Sequence, residues 1–480
     1  MKKVSPVGES AAWMGVSVDR GAAQSLHVQL YDLIKQKIEN GSILAGSRLP
    51  SSRSFAAELG LARATVTAAF DQLMAEGYVS GRRGARLEVS DLYARPTVSA
   101  PPPGLPAPTI EERPPLLLRH GIPDLRLFPE HAWIKAAARC WRSGPHSVIG
   151  NVDPAGAAPL RRALASHLAE WRGIDVDPEQ ILITAGSAGA LQLILDTLTE
   201  RGDPVATEEP GYRAFHRLAE RRGLHICSLP VDAEGMDVSA LRKCLPTPRL
   251  CVVTPSHQYP LGHAMSIGRR RRLLDWASDA DALIVEDDYD SEFRYEGRPL
   301  PSLMSISRDA RVINVGTTSK VISPAFRIGY IVSPPHLVER LRATADHLEQ
   351  RASIIPQYPL AELIESGEYA RHLRRMRRTY RERRRLLANL LKAKIPDSYL
   401  RVELQAAGLH LVSFLGPELA NTTDLILEAK CRDACLGVLA LSPFYRGPHK
   451  RQGLLLGFAA FEEEELVEGV KRLGDVLGAQ

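Results

Sequence analysis

Leu26, Leu30, Leu33, Ile34 and Ile38 recur at steps of three and four, which puts them on one face of a helix. Asn40-Gly41 ends that helix. Beyond Pro50, Ser51 or Ser52 can cap a second, shorter helix with Phe55, Ala56 and Leu59 inward and Gly60 as its stop. A third helix is predicted over about Arg63 to Glu76, with Val66, Phe70, Leu73 and Met74 inward and Gly77 at its exit. Tyr78-Val79 and Leu87-Val89 then flank Arg82-Arg83-Gly84, the pattern of a two-stranded hairpin with a basic tip. Further along, the rhythm changes. ILITAG, PVATEEPG, RLCVVTPS, ALIVEDD, VINVGTTS and GYIVS are short apolar runs bounded by turn residues, separated by amphipathic stretches such as LRRALASHLAEW. That alternation predicts an α/β domain with a mostly parallel sheet, whose ligands bind outside the carboxyl ends of the strands.

The two rhythms are separated by residues 96–115, which hold eight prolines. Such a run is neither helix nor central strand, and reads as a semi-extended linker. The boundaries are therefore set at 20–90 for the small unit, 91–118 for the linker and 119–480 for the large unit. The large unit is itself expected to have a large and a small part.

Composition adds exclusions. The 480 residues carry 61 Lys+Arg against 56 Asp+Glu, and 44% are hydrophobic. This excludes a disordered or polybasic chain but leaves room for local basic patches. One such patch is 371–385, with nine arginines in fifteen residues. It is read as a long helix joining parts of the large unit, its arginines solvated or paired with acids, in preference to a surface that faces a polyanion such as DNA. Six cysteines without a CxxC argue against a disulfide scaffold or zinc ribbon and fit a reducing cytoplasm. Cys431 and Cys435, four apart, read as two small residues on one helix face, not a metal pair, and no metal is expected. No apolar stretch of signal-peptide type follows the N-terminal lysines, and no window has 18 consecutive apolar residues. The expectation is a soluble cytoplasmic protein with no membrane partner.

Helix, short helix, turn, helix and basic hairpin form the outline of a winged helix-turn-helix. The exposed face of its third helix holds Arg63, Thr65 and Thr67, with Arg53 on the helix before, all able to reach phosphates or base edges. A plain three-helix bundle with solvated arginines is the alternative. The stretch RLPSSRSFAAELGLARATVTAAFDQLMAEGY, followed by RRGARLEV, resembles the GntR family of bacterial regulators. The resemblance implies binding to double-stranded operator DNA through Arg53, Arg63, Thr65, Thr67 and the wing tip Arg83-Gly84. Ala62 and Ala64 stand where that family often has hydroxyl or amide residues.

In the large unit three strand ends carry chemistry. Ala185-Gly186-Ser187-Ala188-Gly189 precedes a helix predicted from about Ala190, and such a loop suits phosphate or simply a close turn. Glu286-Asp287-Asp288-Tyr289-Asp290 is a dense acidic cluster of a kind that can hold metal, although nothing pairs with it in an obvious way. Gly316-Thr317-Thr318-Ser319-Lys320 places a lysine among small hydroxyl residues, with Arg327 seven residues on. Pyridoxal phosphate uses all three: a lysine for its imine, an acid for its pyridinium nitrogen and a phosphate cradle.

The segments VDPAGAAPLRRALASHL, ITAGSAGALQLI, EEPGYRAF, VTPSHQYPLGHAMS, IVEDDYDSEFRYEGRPLPSL, VGTTSKVISPAFRIGYIVSP and LLLGFA resemble the aspartate-aminotransferase-like, fold type I enzymes. The joint arrangement resembles the MocR family. The fold class that follows is multidomain, an N-terminal α+β winged helix-turn-helix plus a C-terminal α/β fold type I aminotransferase-like domain. The resemblance implies pyridoxal 5′-phosphate in imine linkage to Lys320, with Asp287 at the pyridinium nitrogen and Tyr289 at the ring's phenolic oxygen. It also implies a phosphate held by Arg327, Thr317, Ser319, Ser187 and the N–H groups around Gly186–Ala188. Tyr212 falls near the ring, or else packs its loop. Leu261 interrupts the usual turn after His257-Gln258-Tyr259, and the ring-oxygen contact from those three stays open. Leu455 stands where aminotransferases hold the substrate carboxylate with an arginine. Arg213, Arg446 or Arg451 are the candidate substitutes at an effector site, or the effector lacks an α-carboxylate. The implied function is a homodimeric regulator that senses an amine or amino acid, or pyridoxal phosphate itself, through imine exchange at Lys320. Transamination in such a chain is weak or partial. The alternative is a working aminotransferase with a DNA-binding appendage.

Overall fold

The computed structural model describes residues 17–22, 24–81, 87–90, 116–143, 150, 153–297, 300–448 and 450–479. The proline run at 96–115 and the wing tip Arg83-Gly84 lie outside these. The chain forms two units, Met1–Arg113 and Pro114–Gln480.

In the first unit the apolar pattern becomes three helices, α1 (Leu26–Glu39), α2 (Ser52–Leu59) and α3 (Arg63–Ala75). Ser51 caps α2 by accepting the Ser54 N–H at 3.1 Å, and Gly60 ends it in the left-handed region at φ +62°. Leu30, Ile34, Phe55, Val66 and Leu73 are fully buried between the helices, and the rings of Phe55 and Phe70 stack at 6.0 Å. Burying each such side chain stabilises the unit by roughly 1.5–3 kcal/mol. Strands β1 (Val79–Ser80) and β2 (Glu88–Val89) pair antiparallel, Val79 opposite Val89. The sequence expectation of helix, short helix, helix and hairpin matches this order.

The second unit is built on an eight-stranded sheet. Its strands are β3 (Ile181–Thr184), β4 (Pro204–Glu209), β5 (His225–Asp232), β6 (Gly235–Met236), β7 (Leu250–Val253), β8 (Leu283–Asp288), β9 (Val312–Thr317) and β10 (Gly329–Val332), in the order β3-β10-β9-β8-β7-β4-β5-β6. β9, β8, β7, β4 and β5 are parallel neighbours. β10 runs antiparallel to both β9 and β3. The GYIVS run is thus a strand as expected, but reversed: residues 318–328 are too few to form the helical crossover that a parallel neighbour needs. β5 is not among the expected strands. It contains Pro230 and its side chains are half-buried, so it lacks an apolar run. The shared direction of the other strands aims the carboxyl ends of β3, β4, β7, β8 and β9 at one edge of the sheet.

A smaller antiparallel sheet follows, with β11 (Leu400–Glu403), β12 (His410–Leu415), β13 (Leu439–Ala440) and β14 (Gly453–Gly457) in the order β11-β12-β14-β13. The arginine-rich segment lies within the helix Glu368–Lys394. Tyr369, Leu373, Met376, Tyr380, Leu387 and Leu391 bury one face of it. Several of its arginines are engaged: Arg383 with Asp124 and Arg384 with Glu296, each at 2.8 Å, while Arg377 donates to the Arg294 carbonyl at 3.0 Å.

Two cysteine expectations are corrected. Cys227 and Cys244 form a disulfide, with Cα atoms 6.0 Å apart. Spacing gives no sign of it, because proximity arises only when β5 packs beside the turn Val238–Lys243. Cys431 sits on the helix Asp424–Asp433, but Cys435 lies past its cap at φ +59°, so the two do not share a helix face. Among the described residues no helix is long and apolar enough to cross a membrane.

Candidate functional site

The strand ends enclose a cavity of about 330 Å³ lined by Gly186, Ser187, Ala188, Tyr212, Asp287, Tyr289, Thr317, Ser319, Lys320 and Arg327, together with His120, Gly121, Thr254, Tyr259, Asp290, Pro324, Leu409 and His410. All the sequence-derived cofactor residues are in the first group, although they come from distant parts of the chain.

The acidic cluster at the end of β8 separates into different jobs because alternate residues of a strand face opposite ways. Glu286 accepts from Ser302 Oγ at 2.6 Å and from the N–H of Leu303 at 3.0 Å. Asp288 pairs with Arg172 at 2.7 Å. Asp290 lies 3.0 Å from His257 Nδ1. Asp287 differs: it lines the cavity, and its buried Oδ1 has no hydrogen-bond partner among the described residues. Burial, and then the neighbouring acids Asp288, Glu208 and Asp290, push its pKa up to about 7. A buried carboxylate in this state calls for a cation or N–H donor.

Lys320 follows β9. Burial holds its ammonium pKa below the ordinary lysine value, against the pull of Asp290 and Asp287. Its Nζ donates to the Gly121 carbonyl at 2.5 Å. Gly121 adopts φ +70°, a conformation that favours glycine. Thr317 Oγ1 donates to Ser319 Oγ at 3.0 Å and fixes the hydroxyl pair before the lysine.

The loop after β3 is tighter than the expectation of a helix from Ala190. The helix starts at Gly186 and runs to Leu198, so Ser187 and Ala188 are in its first turn, where backbone N–H groups lack intrahelical partners. Arg327, at φ +53°, lays its guanidinium against Gly186 and donates to the Ala185 carbonyl at 3.3 Å. Gly329 permits this close approach: a Cβ there would come within 2.6 Å of the Gly186 carbonyl carbon. Free N–H groups and one guanidinium make an anion cradle. An orphaned acid, a half-buried lysine and an anion cradle in one cavity fit pyridoxal phosphate.

Tyr289 Oη lies 2.9 Å from His257 Nδ1, and Tyr212 packs edge-on against Tyr259. Of the three residues left open, Tyr259 lines the cavity; Gln258 is bonded to the Pro210 and Tyr259 carbonyls, and His257 backs Tyr289. Leu261, after the cis Tyr259–Pro260 bond, is buried with Val412, Phe444 and Leu455. Leu455 is fully buried in β14. Arg213, Arg446 and Arg451 are not in the lining: they meet Phe444, Glu220 and the Phe414 ring. His120, Thr254, Leu409 and His410 escape the sequence reading, and Asp290 entered it only as a member of the acidic cluster. Only His410 leaves a signal, as a polar ring within the apolar run LHLVSFL.

In the first unit Arg53 and Arg63 are exposed, and Thr65 and Thr67 are half-buried. Thr67 Oγ1 donates back to the Arg63 carbonyl at 2.9 Å. Arg83 and Gly84 are outside the described residues.

Comparison with known proteins agrees with both units. Residues 26–89 match the bacterial regulatory proteins of the gntR family, and residues 117–473 match aminotransferase class I and II. The chain is 34% identical to the probable rhizopine catabolism regulatory protein MocR of Rhizobium meliloti, covering 95% of this chain and 94% of that protein. It is 35% identical to the pyridoxine biosynthesis transcriptional regulator PdxR of Corynebacterium glutamicum, covering 92% and 94%. Among solved structures, LysN, the α-aminoadipate aminotransferase of Thermus thermophilus complexed with N-(5′-phosphopyridoxyl)-L-leucine, superposes with a TM-score of 0.69 at 30% identity, over 78% of this chain and 95% of that one. The chain therefore belongs to the MocR-type regulators, in which a gntR-family winged helix is joined to an aminotransferase class I and II unit that takes pyridoxal 5′-phosphate.

Proposed function

We propose that this chain is a pyridoxal-phosphate-dependent transcriptional regulator that binds operator DNA through its winged helix and senses a small amine or amino acid at Lys320. The observation that carries the reading is the convergence of Lys320, the unpartnered Asp287 and the Gly186–Arg327 cradle in one cavity. When bound, the cofactor supplies an aldehyde that condenses with primary amines and a ring that withdraws electrons from the carbon so attached.

The chain's own residues do the rest. Asp287 holds the proton on the ring nitrogen, and that cation in turn satisfies the carboxylate. Arg327, the Thr317 and Ser319 hydroxyls and the first turn of the helix Gly186–Leu198 orient the phosphate. Lys320, its ammonium disfavoured by burial, would carry the cofactor through its amine and is the group with which an incoming amine competes. Tyr259 and Tyr212 exclude water from one side. The effector acts on DNA binding only through different affinities for two states of the regulator. Operator contacts fall to Arg53, Arg63, Thr65 and Thr67, with Arg83 and Gly84 at the wing, and a homodimer presents two winged helices to two half-sites.

The test is spectroscopic. Full-length protein incubated with pyridoxal phosphate and freed of excess acquires a visible absorption band; Lys320→Ala loses it. Colourless wild-type protein sinks the reading. Steady multiple turnover with an amino acid and an oxo acid would favour the working aminotransferase instead.

A further inference from the structure

One group of cavity-lining side chains is left over once the cofactor residues are assigned. His120, Tyr259, Leu409 and His410 form it. His120 Nε2 lies 3.1 Å from Tyr259 Oη, the rings of His120 and His410 meet edge-on at 6.2 Å, and those of Tyr259 and His410 at 5.9 Å. His410 Nε2 is bonded to the Pro260 carbonyl at 3.1 Å.

This group is polar without being cationic. Burial first, and then the charges of Lys320 and Arg119, push the His120 pKa down to about 4. Burial first, and then His257 and His120, push that of His410 down to about 3. Both rings are neutral near pH 7. The formal cations in the lining, among the described residues, are Lys320 and Arg327. The first is the amine that carries the cofactor and that an effector must displace, and the second sits in the phosphate cradle against Gly186. Asp290 adds a second carboxylate to the same cavity, besides the Asp287 that the ring nitrogen satisfies. Leu455 is apolar and packed beside Tyr259 and Leu261. Arg446 is tied to Glu220, and Arg451 lies 3.5 Å from the Phe414 ring centre.

A carboxylate brought here leaves water, meets no guanidinium outside the phosphate cradle among the described lining residues and faces Asp290, which is an unfavourable combination. A hydroxyl meets the opposite situation: the tyrosine hydroxyl and neutral imidazole can each exchange their mutual hydrogen bond for one to the ligand. Resting on the pyridoxal-phosphate reading above, we propose that the effector is a primary amine with no carboxylate on its amino-bearing carbon, and that the His120–Tyr259 pair recognises a neutral hydroxyl on it. Selectivity against amino acids then comes from the absence of a counter-charge, and selectivity for a hydroxylated amine from His120.

The experiment titrates full-length protein, loaded with pyridoxal phosphate and freed of excess, with matched pairs: ethanolamine against serine and tyramine against tyrosine. The change in the cofactor band is read. The amine of each pair is expected to half-saturate at a concentration at least about 100-fold lower than its amino acid, the low end of what an unpaired buried charge costs. Equal or better response to the amino acids overturns the proposal, as does no response to any of the four. Both results leave the cofactor reading standing, because the band itself is present; a protein with no band fails at that earlier reading instead. His120→Phe is expected to keep the band and lose about tenfold of the preference for ethanolamine over ethylamine, the size of one neutral hydrogen bond. An unchanged preference in that variant removes His120 from the recognition.

Discussion

The functional residues of the two units are built in opposite ways. In the sensor unit they line one cavity, are drawn from distant parts of the chain and are held by neighbours before any ligand arrives: Lys320 by Gly121, Arg327 by Ala185 and Gly186, Tyr289 by His257. In the reader unit Arg53 and Arg63 project from adjacent helices into solvent. A pre-set site lining one cavity concentrates its binding free energy in a few groups, each costly to leave unpaired. An exposed reader spreads it over many contacts that are individually small and weakened by salt. Single substitutions should therefore have large, specific effects in the sensor and modest, salt-dependent ones in the reader.

The largest effect is expected at Asp287. Asp287→Asn removes the charge positioned for the ring nitrogen and should weaken cofactor binding by at least about 100-fold, measured by titration of the absorption band. The same variant sharpens the contrast from the other side. Without cofactor, the folded-state pKa of Asp287 is about 7, against an ordinary 3.8. The folded apo-protein then holds this proton more tightly than the unfolded chain does. The stability it contributes is complete below pH 3.8 and is lost as pH rises through 7. Glu208 and Glu292, buried and also pushed up to about 7, act in the same direction. Apo Asp287→Asn should thus be more stable than apo wild type at pH 8, by about 2 kcal/mol, and lose that advantage at pH 4. Denaturant melts at the two pH values decide it. Equal stability at pH 8 means that the carboxylate has found a partner and is not waiting for the cofactor.

Next in size is Arg327→Ala. One charge-assisted contact to a phosphate is worth roughly 1.5–3 kcal/mol, so cofactor affinity should fall by about 10- to 100-fold while the band of the saturated protein keeps its position. A shifted band would place Arg327 at the ring instead of the cradle.

The same burial explains what could be read from sequence. The glycine loop, the acid cluster and the TTSK segment each follow a strand whose apolar run is plain, so their convergence at one edge of the sheet follows from parallel topology. Which acid serves the ring is less plain in a run such as EDDYD. Strand alternation places Asp287 and Tyr289 on one face and Glu286 and Asp288 on the other, yet only the folded chain shows Ser302, Arg172 and His257 claiming the other three carboxylates. His120 is invisible in the sequence because it lies in RHGIPD, a short irregular segment after the prolines, and its role depends on a partner 139 residues away. The reversed β10 and the Cys227–Cys244 bond are hidden for the same reason, being decided by connection length and packing and not by local pattern. In the reader, helix caps and the apolar stripe make the fold legible, while the roles proposed for its exposed arginines depend on DNA.

For the reader, Arg63→Ala should lower operator affinity by about tenfold and, if the contact is to phosphate, reduce the slope of log affinity against log salt by about one. Titrations by fluorescence anisotropy at several salt concentrations measure both. A loss beyond roughly 1,000-fold, far above what one phosphate or base contact supplies, would erase the contrast, because it would make Arg63 as concentrated a determinant as the sensor residues.

The smallest effect tests whether basic charge alone makes a DNA surface. Arg378 lies exposed on the helix Glu368–Lys394, within the run of nine arginines at 371–385. Its neighbours Arg377, Arg383 and Arg384 are spent inside the sensor unit, on the Arg294 carbonyl, Asp124 and Glu296. A helix whose arginines are so engaged, and whose other face is buried by Leu373, Met376 and Tyr380, holds the unit together and offers few charges to a phosphate backbone. Arg378→Glu reverses one charge without touching that packing. Operator affinity and its salt slope should both stay within experimental scatter of wild type. A shallower slope in this variant would extend the DNA footprint beyond the winged helix and transfer part of the reading task to the unit that otherwise only senses.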